Sequence, residues 1–600
     1  MGTHLQNAAR QRLDMNLSQV FDTLETTNLI RRASDPDNAY LFKHALIQDT
    51  AYTSLTRAER KHLHRHVAEA YEILYAGHRM DEYAGLLAQH YGEAGDDAKT
   101  LAYATRAGDI AAREYANVEA IAFYEQALAA AKRGGATTAQ FLHLYTKRGR
   151  VYEVMANTAA LETYQEMTEF ARARGDRALE LQALLLCGKL YASPSPLFDR
   201  AKALELAGEA SVLAHDLGDR LAQAHALWNL QLLYLYNSEI PDSIRCGEQA
   251  LTLAREVETR ELLGFILTDL GRAYLQSGQI AKIAAVEAEA QTIWRELDNK
   301  PMLADNLMQT ATQTFLRGEY DETIALTNEG LEISRTIDSK ISFMSNAGMQ
   351  VIPMLDRGEI TRAFELAEDI LRVAHEISGG FNYLLQNALG AWVYASVGAL
   401  ERGTELANEA LASLQQPSAE FFRAWAWVSL ARYYLARGDV IAARAALTSS
   451  QMEIHAGRVD PAAFTGAVAL GECLVAEGEY ARAAALMKQR VQMLHQLGFR
   501  ASLYELLFIQ AQATRALGET AQAFDLLHQA RQVAEEMQAR RVLWEIYATL
   551  SETENARGNT EQAKAYLAQA RAVIEYIVAH SPQEFRESFL NLPRVRAILD

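Results

Sequence analysis

Eight glycines stand in one file, each 40 residues after the last: Gly278, Gly318, Gly358, Gly398, Gly438, Gly478, Gly518 and Gly558. Ser238 continues the frame one step earlier. The chain has 34 glycines in 600 residues, so chance accounts for one or two such coincidences and not for eight. A fixed period of this length means one supersecondary unit copied many times. A lone copy cannot bury its own apolar face, so the copies must stack.

Other columns share the frame. Five residues after the glycine come Ala363, Gly403, Ala443, Ala483, Ala523 and Ala563. Seven before it come Gly271, Ala311, Ala391, Ala431, Gly471, Ala511 and Ser551, and four before it Tyr234, Tyr274, Tyr394 and Tyr434 recur. Small residues allow two helix axes to approach closely, and larger neighbours fill the grooves around them. A glycine between two helical segments supplies the positive φ that a tight turn requires. Only 10 residues are proline, so long helices run unbroken. The apolar half of the chain is mostly Ala and Leu, which favour helix. Strand-like runs are scarce.

Small-residue columns, a recurring Tyr and a turn Gly resemble tetratricopeptide repeats. The usual unit has about 34 residues; here the spacing is 40, which implies longer helices. The resemblance covers roughly residues 100–580 and is in clean register from about 222. Upstream units are read at Asn117-Ala120-Ala127, Asn157-Ala160-Tyr164 and Phe198-Ala203-Ala207, and Ser193-Pro194-Ser195-Pro196 reads as a loop. The expected fold is an all-α, right-handed superhelical solenoid of antiparallel helix pairs.

The N-terminal piece differs. Residues 1–80 carry 10 Lys or Arg and 9 Asp or Glu, a net of +1 in a chain of net charge -18. An amphipathic helix is expected over 16–30, a turn at Asp35-Pro36-Asp37-Asn38 and a short strand at Tyr40-Leu41-Phe42. A helix follows through His44–Leu55, and another from Arg57 to Tyr75. That order suggests a small winged-helix-like subdomain. The run Phe42-Lys43-His44-Ala45-Leu46-Ile47-Gln48-Asp49, with Ala51-Tyr52, Arg60, His64, Ala68 and Glu69, resembles the segment after the ATPase module of STAND-type signalling ATPases. Leu87-Ala88, His90-Tyr91, Ala94-Gly95 and Ala107-Gly108 extend it, and Phe589-Leu590-Asn591-Leu592-Pro593 looks like the closing motif of the same architecture. Many such proteins are fused to adenylate cyclases. No Gly-x-x-x-x-Gly-Lys-Ser/Thr occurs, since Gly188-Lys189 lacks the first Gly and is followed by Leu190. The chain is expected to be the helical half of that architecture, standing alone. Four segments follow: 1–78, 79–221, 222–580, and a C-terminal cap at 581–600.

Catalytic chemistry finds little footing. His62, His64 and His66 alternate, and side chains at i, i+2 diverge by about 200° on a helix. They read as structural. Cys187, Cys246 and Cys473 are odd in number and far apart, which suits a reducing cytosol better than a disulfide framework. Residues 1–12 lack an apolar signal core, no run of 18 apolar residues exists, and the expected location is cytoplasmic. No cofactor or metal is expected. The acidic balance argues against sequence-independent nucleic-acid binding.

A binding groove is the better reading. The resemblance places the first helix of each pair on the concave side, with columns 13, 10, 6, 3 and 2 residues before the turn glycine facing the groove. Those columns hold Trp228, Tyr236, Phe265, Arg272, Met308, Phe315, Trp392, Trp425 and Arg432. Trp and Arg are favoured interface anchors; the alternative is that these aromatics are core between repeats. Glu472, Glu505, Glu545 and Glu552 lie on further groove positions and suggest a taste for basic segments. The expectation is a scaffold binding a peptide or partner protein. The alternatives are a regulatory arm for a separately encoded ATPase or cyclase and, more weakly, a transcription regulator.

Overall fold

The computed structural model describes residues 17–32, 40–75, 80–155, 157–195, 197–377, 380–414, 420–450 and 459–600. The turn expected at Asp35–Asn38 lies outside them, as does Pro196. The described chain is almost wholly helical and forms two compact units, residues 1–180 and 181–600.

The first unit opens with the helix Leu17–Thr26 and an antiparallel pair of strands, Ile30–Arg32 and Tyr40–Phe42, with Arg31 opposite Leu41. Helices Ala45–Ser54 and Arg57–Leu74 follow. Thr56 starts the latter with a capping box: its hydroxyl accepts from the Glu59 amide, and the Glu59 carboxylate accepts from the Thr56 amide. After the helix Ala84–Ala94, helix pairs begin with Asp97–Arg113 and Asn117–Gly134. Gly95, Gly135 and Gly175 are again 40 apart, with φ of +74°, +75° and +63°. They mark the turn from a second helix to the next pair, whereas the file from Gly278 onward marks the turn within a pair. The within-pair turn here uses Tyr115, at φ +58°, so the glycine frame fades although the period does not. The upstream columns at Ala120 and Ala160 lie on the helices Asn117–Gly134 and Ala159–Arg174 of this unit, and that at Ala203 on Arg200–Leu217 of the second.

The second unit is a tetratricopeptide-like superhelical solenoid. Its pairs run Arg220–Tyr236 with Ile240–Glu256, Arg260–Gln276 with Ile280–Glu296, and onward to Arg540–Ala556 with Thr560–Ala579. The eight frame glycines take φ between +74° and +86°. Each turn closes the same way. The amide after the glycine reaches back five residues to a carbonyl, as in Gln279 to Tyr274 at 2.8 Å and Asp439 to Tyr434 at 2.9 Å. That bond satisfies an orphan carbonyl at the helix end and needs a left-handed residue before it.

The two small-residue columns meet. The Ser551 hydroxyl donates to the Ala563 carbonyl at 2.7 Å, and Ser243 does the same to Gln231 at 2.9 Å. A Cβ on Gly403 would stand 3.1 Å from the Ala391 carbonyl oxygen. The tyrosine column ties two of the pairs to the ones before them: the Tyr274 hydroxyl donates to Glu248 at 3.0 Å, and Tyr394 donates to Glu368.

Curvature brings distant pairs together. The last-turn carbonyls of Gln276 and Leu316 accept from the amides of Val459 at 3.1 Å and Arg500 at 2.8 Å. The Arg540 guanidinium donates to the Arg357 carbonyl at 3.0 Å. Each rung joins positions about 183 residues apart, so the superhelix closes one turn roughly every four and a half pairs and rests on itself. Helix-end carbonyls that have no partner inside their own helix find one in the next turn.

Candidate partner-binding face

First helices of successive pairs pack on one another, and Arg432 reaches Glu505 two pairs further on. Residues that far apart can meet only on the inner side of a curve. The first helices therefore line the concave wall of the second unit.

One cluster on that wall is built on the helices Arg220–Tyr236, Arg260–Gln276 and Lys300–Arg317. Buried Trp228 donates its indole N–H to Asp269 at 2.8 Å and stacks on Phe265, ring centroids 4.8 Å apart. Phe265 meets Trp294 edge-on at 4.9 Å. Arg272 forks between Asp269, at 2.9 Å, and Asp305, and also donates to the Tyr236 hydroxyl at 3.3 Å. Tyr236 stacks on Phe422 of the following turn at 5.9 Å. Burial pushes the Asp269 carboxyl up to about 6 even though Arg272 and the Trp228 donor pull it down. Met308 is half-buried, its sulfur 3.7 Å from the Thr312 hydroxyl.

A second cluster spans the helices Lys340–Arg357, Gly380–Ser396, Glu420–Ala436, Pro461–Ala476, Leu503–Ala516 and Arg540–Ala556. Arg432 donates to Glu472 at 2.9 Å and to Glu505 at 3.1 Å. Arg541 holds Asp356 at 2.7 Å and Glu505 at 3.0 Å. Both guanidinium groups lie over the Trp392 ring, 5.3 Å and 5.9 Å from its centroid. The Tyr320 hydroxyl donates to Asp356 at 2.6 Å. Burial alone pushes the Glu505 carboxyl up; the guanidinium groups of Arg541 and Arg432 outweigh it and hold the group below the usual carboxylate range. The same burial drives the Tyr320 and Tyr504 hydroxyls well above theirs.

The nine residues singled out by column thus fall into distinct settings. Trp228, Arg272, Phe265 and Tyr236 share the first cluster, and Trp392 and Arg432 share the second. Phe315 is buried and stacks on Tyr320 at 5.9 Å. Met308 and Trp425 are half-buried. Column reasoning missed Asp269, Asp305, Asp356, Tyr504 and Arg541. Asp305 shares a column with Glu505 and Glu545, 13 before the turn glycine, a signal that was available. Arg541 has none, because Asp356 lies 185 residues away in the chain.

The acidic column is met by the chain's own arginines. Glu472 and Glu505 take Arg432, Glu552 takes Arg515 at 3.0 Å, and Glu545 takes Arg594 at 2.9 Å.

In the first unit, the His64 ring sits between the Tyr52 hydroxyl, at 2.9 Å, and His90, at 2.7 Å. His62 and His66, four apart, face each other at 3.1 Å, a pairing that the alternation conceals. All three cysteines are buried, and burial pushes the Cys473 thiol up to about 12. No described helix is long and apolar enough to cross a membrane.

No protein-family model matches the chain, and no curated protein matches it. Solved structures do. The APC/C hetero-tetramer Cut9-Hcn1 is 15% identical, with 92% of this chain and 98% of that one covered at a TM-score of 0.43. The apo quorum sensor NprR from B. thuringiensis is 13% identical, with 60% and 99% covered at 0.37. A STAND protein with a tetratricopeptide repeat sensor from Pyrococcus horikoshii is 12% identical, with 74% and 60% covered at 0.38.

Proposed function

We propose that the protein is an interaction scaffold whose concave wall holds an extended or helical segment of a partner protein. The observation that carries this reading is the inner wall around residues 236–308. There Tyr236, Phe265 and Met308 remain half-buried beside the Arg272–Asp305 fork, which is also within reach of solvent. Aromatic and Met surface next to a paired charge suits a peptide: apolar side chains give area and the fork gives orientation. Trp425 supplies a further half-buried aromatic on the same column as Phe265.

The test is to pan a displayed random-peptide library on the full chain and measure the recovered peptides by titration. Asp305→Ala and Trp425→Ala are expected to weaken them at least tenfold while the unfolding midpoint stays near that of the parent. Failure to recover any consensus, or equal binding by the variants, would reject the groove.

A second reading has an observation of its own. The helix Ala45–Ser54 has no buried residue, and Leu46 is 76% exposed next to exposed Leu41 and Phe42. Apolar surface of this kind marks an interaction site and supports a regulatory arm that docks on a separately encoded ATPase or cyclase. Leu46→Glu is expected to abolish co-purification with such a subunit. Unchanged co-purification would count against that docking face.

A further inference from the structure

The segment after the last helix pair behaves unlike a simple end cap. Helices Gln583–Leu590 and Pro593–Leu599 do cover the last pair: Val595 is fully buried, and Arg571 donates to the Ile598 carbonyl at 3.0 Å. The segment also reaches back one full turn. The His580 carbonyl accepts from the Thr361 amide at 2.8 Å and from its hydroxyl at 2.9 Å, satisfying a first-turn N–H that has no partner in its own helix. The Phe585 ring covers Phe364 at 4.7 Å and Tyr394 at 5.7 Å. The Ser588 carbonyl oxygen lies 2.8 Å from where a Cβ on Gly398 would be. Finally, Arg594 places a guanidinium nitrogen 2.9 Å and 3.1 Å from the two carboxylate oxygens of Glu545. Glu545 stands in the column 13 before the turn glycine, the concave column that also holds Phe265, Asp305, Trp425 and Glu505.

We propose that residues 581–599 are an autoinhibitory strap, which occupies the concave wall at Glu545 in cis and pins two superhelical turns together until a partner's arginine-bearing segment displaces it. The proposal rests on the concave wall being the binding face. Two features separate a strap from a permanent cap. Its helices have 8 and 7 residues, too short to persist without the surface they lie on. The charge it places on the wall, Arg594, is 64% exposed, so the ion pair orients the strap more than it holds it. Release uncovers an apolar site at Phe364 and Tyr394 and a carboxylate at Glu545 with Glu472 near enough to feel its charge. An arginine with apolar neighbours is the chemistry that fits both.

The probe is a fluorescent synthetic peptide of residues 581–600, titrated into the full chain. Tethering gives the resident strap an effective concentration in the millimolar range, so the parent protein is expected to bind the probe barely at micromolar concentrations. Phe585→Ala combined with Arg594→Ala is expected to bind it at least about tenfold more tightly, the gain in site availability that weakening a tethered competitor gives. Adding Glu545→Gln is expected to reverse that gain. Hydrogen exchange on the parent supplies an independent reading: strap amides should exchange well ahead of those in Arg540–Ala556. Equal probe binding by parent and variant, or strap amides as slow as that helix, would overturn the strap. Library peptides that still bind at Asp305 in that case would leave the groove standing and the strap alone rejected.

Discussion

Arg272 and Arg432 occupy the same repeat position, six residues before the turn glycine, and meet different fates. Arg272 pairs with Asp269 on its own helix and Asp305 on the next pair. Arg432 pairs with the next pair and the one after it, and through Glu505 joins Arg541 and Asp356 of another turn. The ion pairs of the first cluster are assembled locally; the Asp356–Arg541 pair of the second exists only if the superhelix closes on itself. A repeat position fixes which way a side chain points, and curvature decides what it finds there.

The largest expected effect breaks the second cluster. Arg541→Ala leaves Asp356 and Glu505 buried with a cation missing, and stranded buried charges of this kind cost roughly 3–5 kcal/mol. Asp356 is also held by Tyr320, and Glu505 by Arg432, so the loss should sit at the lower end. Arg272→Ala is expected to cost less, roughly 1–3 kcal/mol, because Asp269 retains its Trp228 donor and Asp305 is partly open to water. Urea unfolding of both variants checks the order. A costlier Arg272→Ala would mean that the turn-to-turn network carries less than its burial suggests.

A glycine pair sharpens the same comparison. Gly398 and Gly438 have the same φ, +78°, but a Cβ on Gly398 meets the Ser588 carbonyl oxygen at 2.8 Å, while nothing lies within 4 Å at Gly438. Both alanine variants carry the left-handed penalty of about 1 kcal/mol. Only Gly398→Ala should add the overpacking term of roughly 1–3 kcal/mol. Equal midpoints for the two would show that the turns can separate at that rung without loss.

Much of this was legible in the sequence. Eight glycines, a tyrosine column and two small-residue columns define the pair, its turn and its close approach, because each is a local requirement repeated at fixed spacing. Two things were not legible. The turn between pairs is carried by Glu258, Asp298, Asp338 and Gln538, all at positive φ. The short polar side chain of Asp tolerates that conformation, and Glu and Gln leave no mark of it at all. The rungs between turns were hidden for a different reason. Gln276 meets Val459 and Asp356 meets Arg541 through accumulated curvature, which no residue encodes alone. The candidate groove inherits that limit: columns located Trp228, Arg272, Trp392 and Arg432, and curvature brought Arg541 and Asp356 to the last two.

Between pairs, away from any rung, a buried carboxylate gives a smaller test that depends on pH. Glu287, on the helix Ile280–Glu296, is 6% exposed and faces Gln309, Gln313 and the Thr310 hydroxyl, the last at 3.5 Å. Burial pushes its carboxyl up to about 7, and those hydrogen-bonding groups only partly offset it. In the unfolded chain it titrates near 4.3. The folded state therefore binds the proton more tightly. Its stability falls as pH rises from about 4 to 7, and the penalty is complete above that range. Glu287→Gln keeps the shape and removes the charge. It is expected to raise stability by about 1–3 kcal/mol at pH 8 and to change little at pH 4. The Arg272 cation lowers this carboxyl, and it is committed to Asp269 and Asp305. A Glu287→Gln variant no more stable than the parent at pH 8 would mean that Arg272 swings to Glu287 when it ionises. The first cluster would then be a shared charge network, as the second one is.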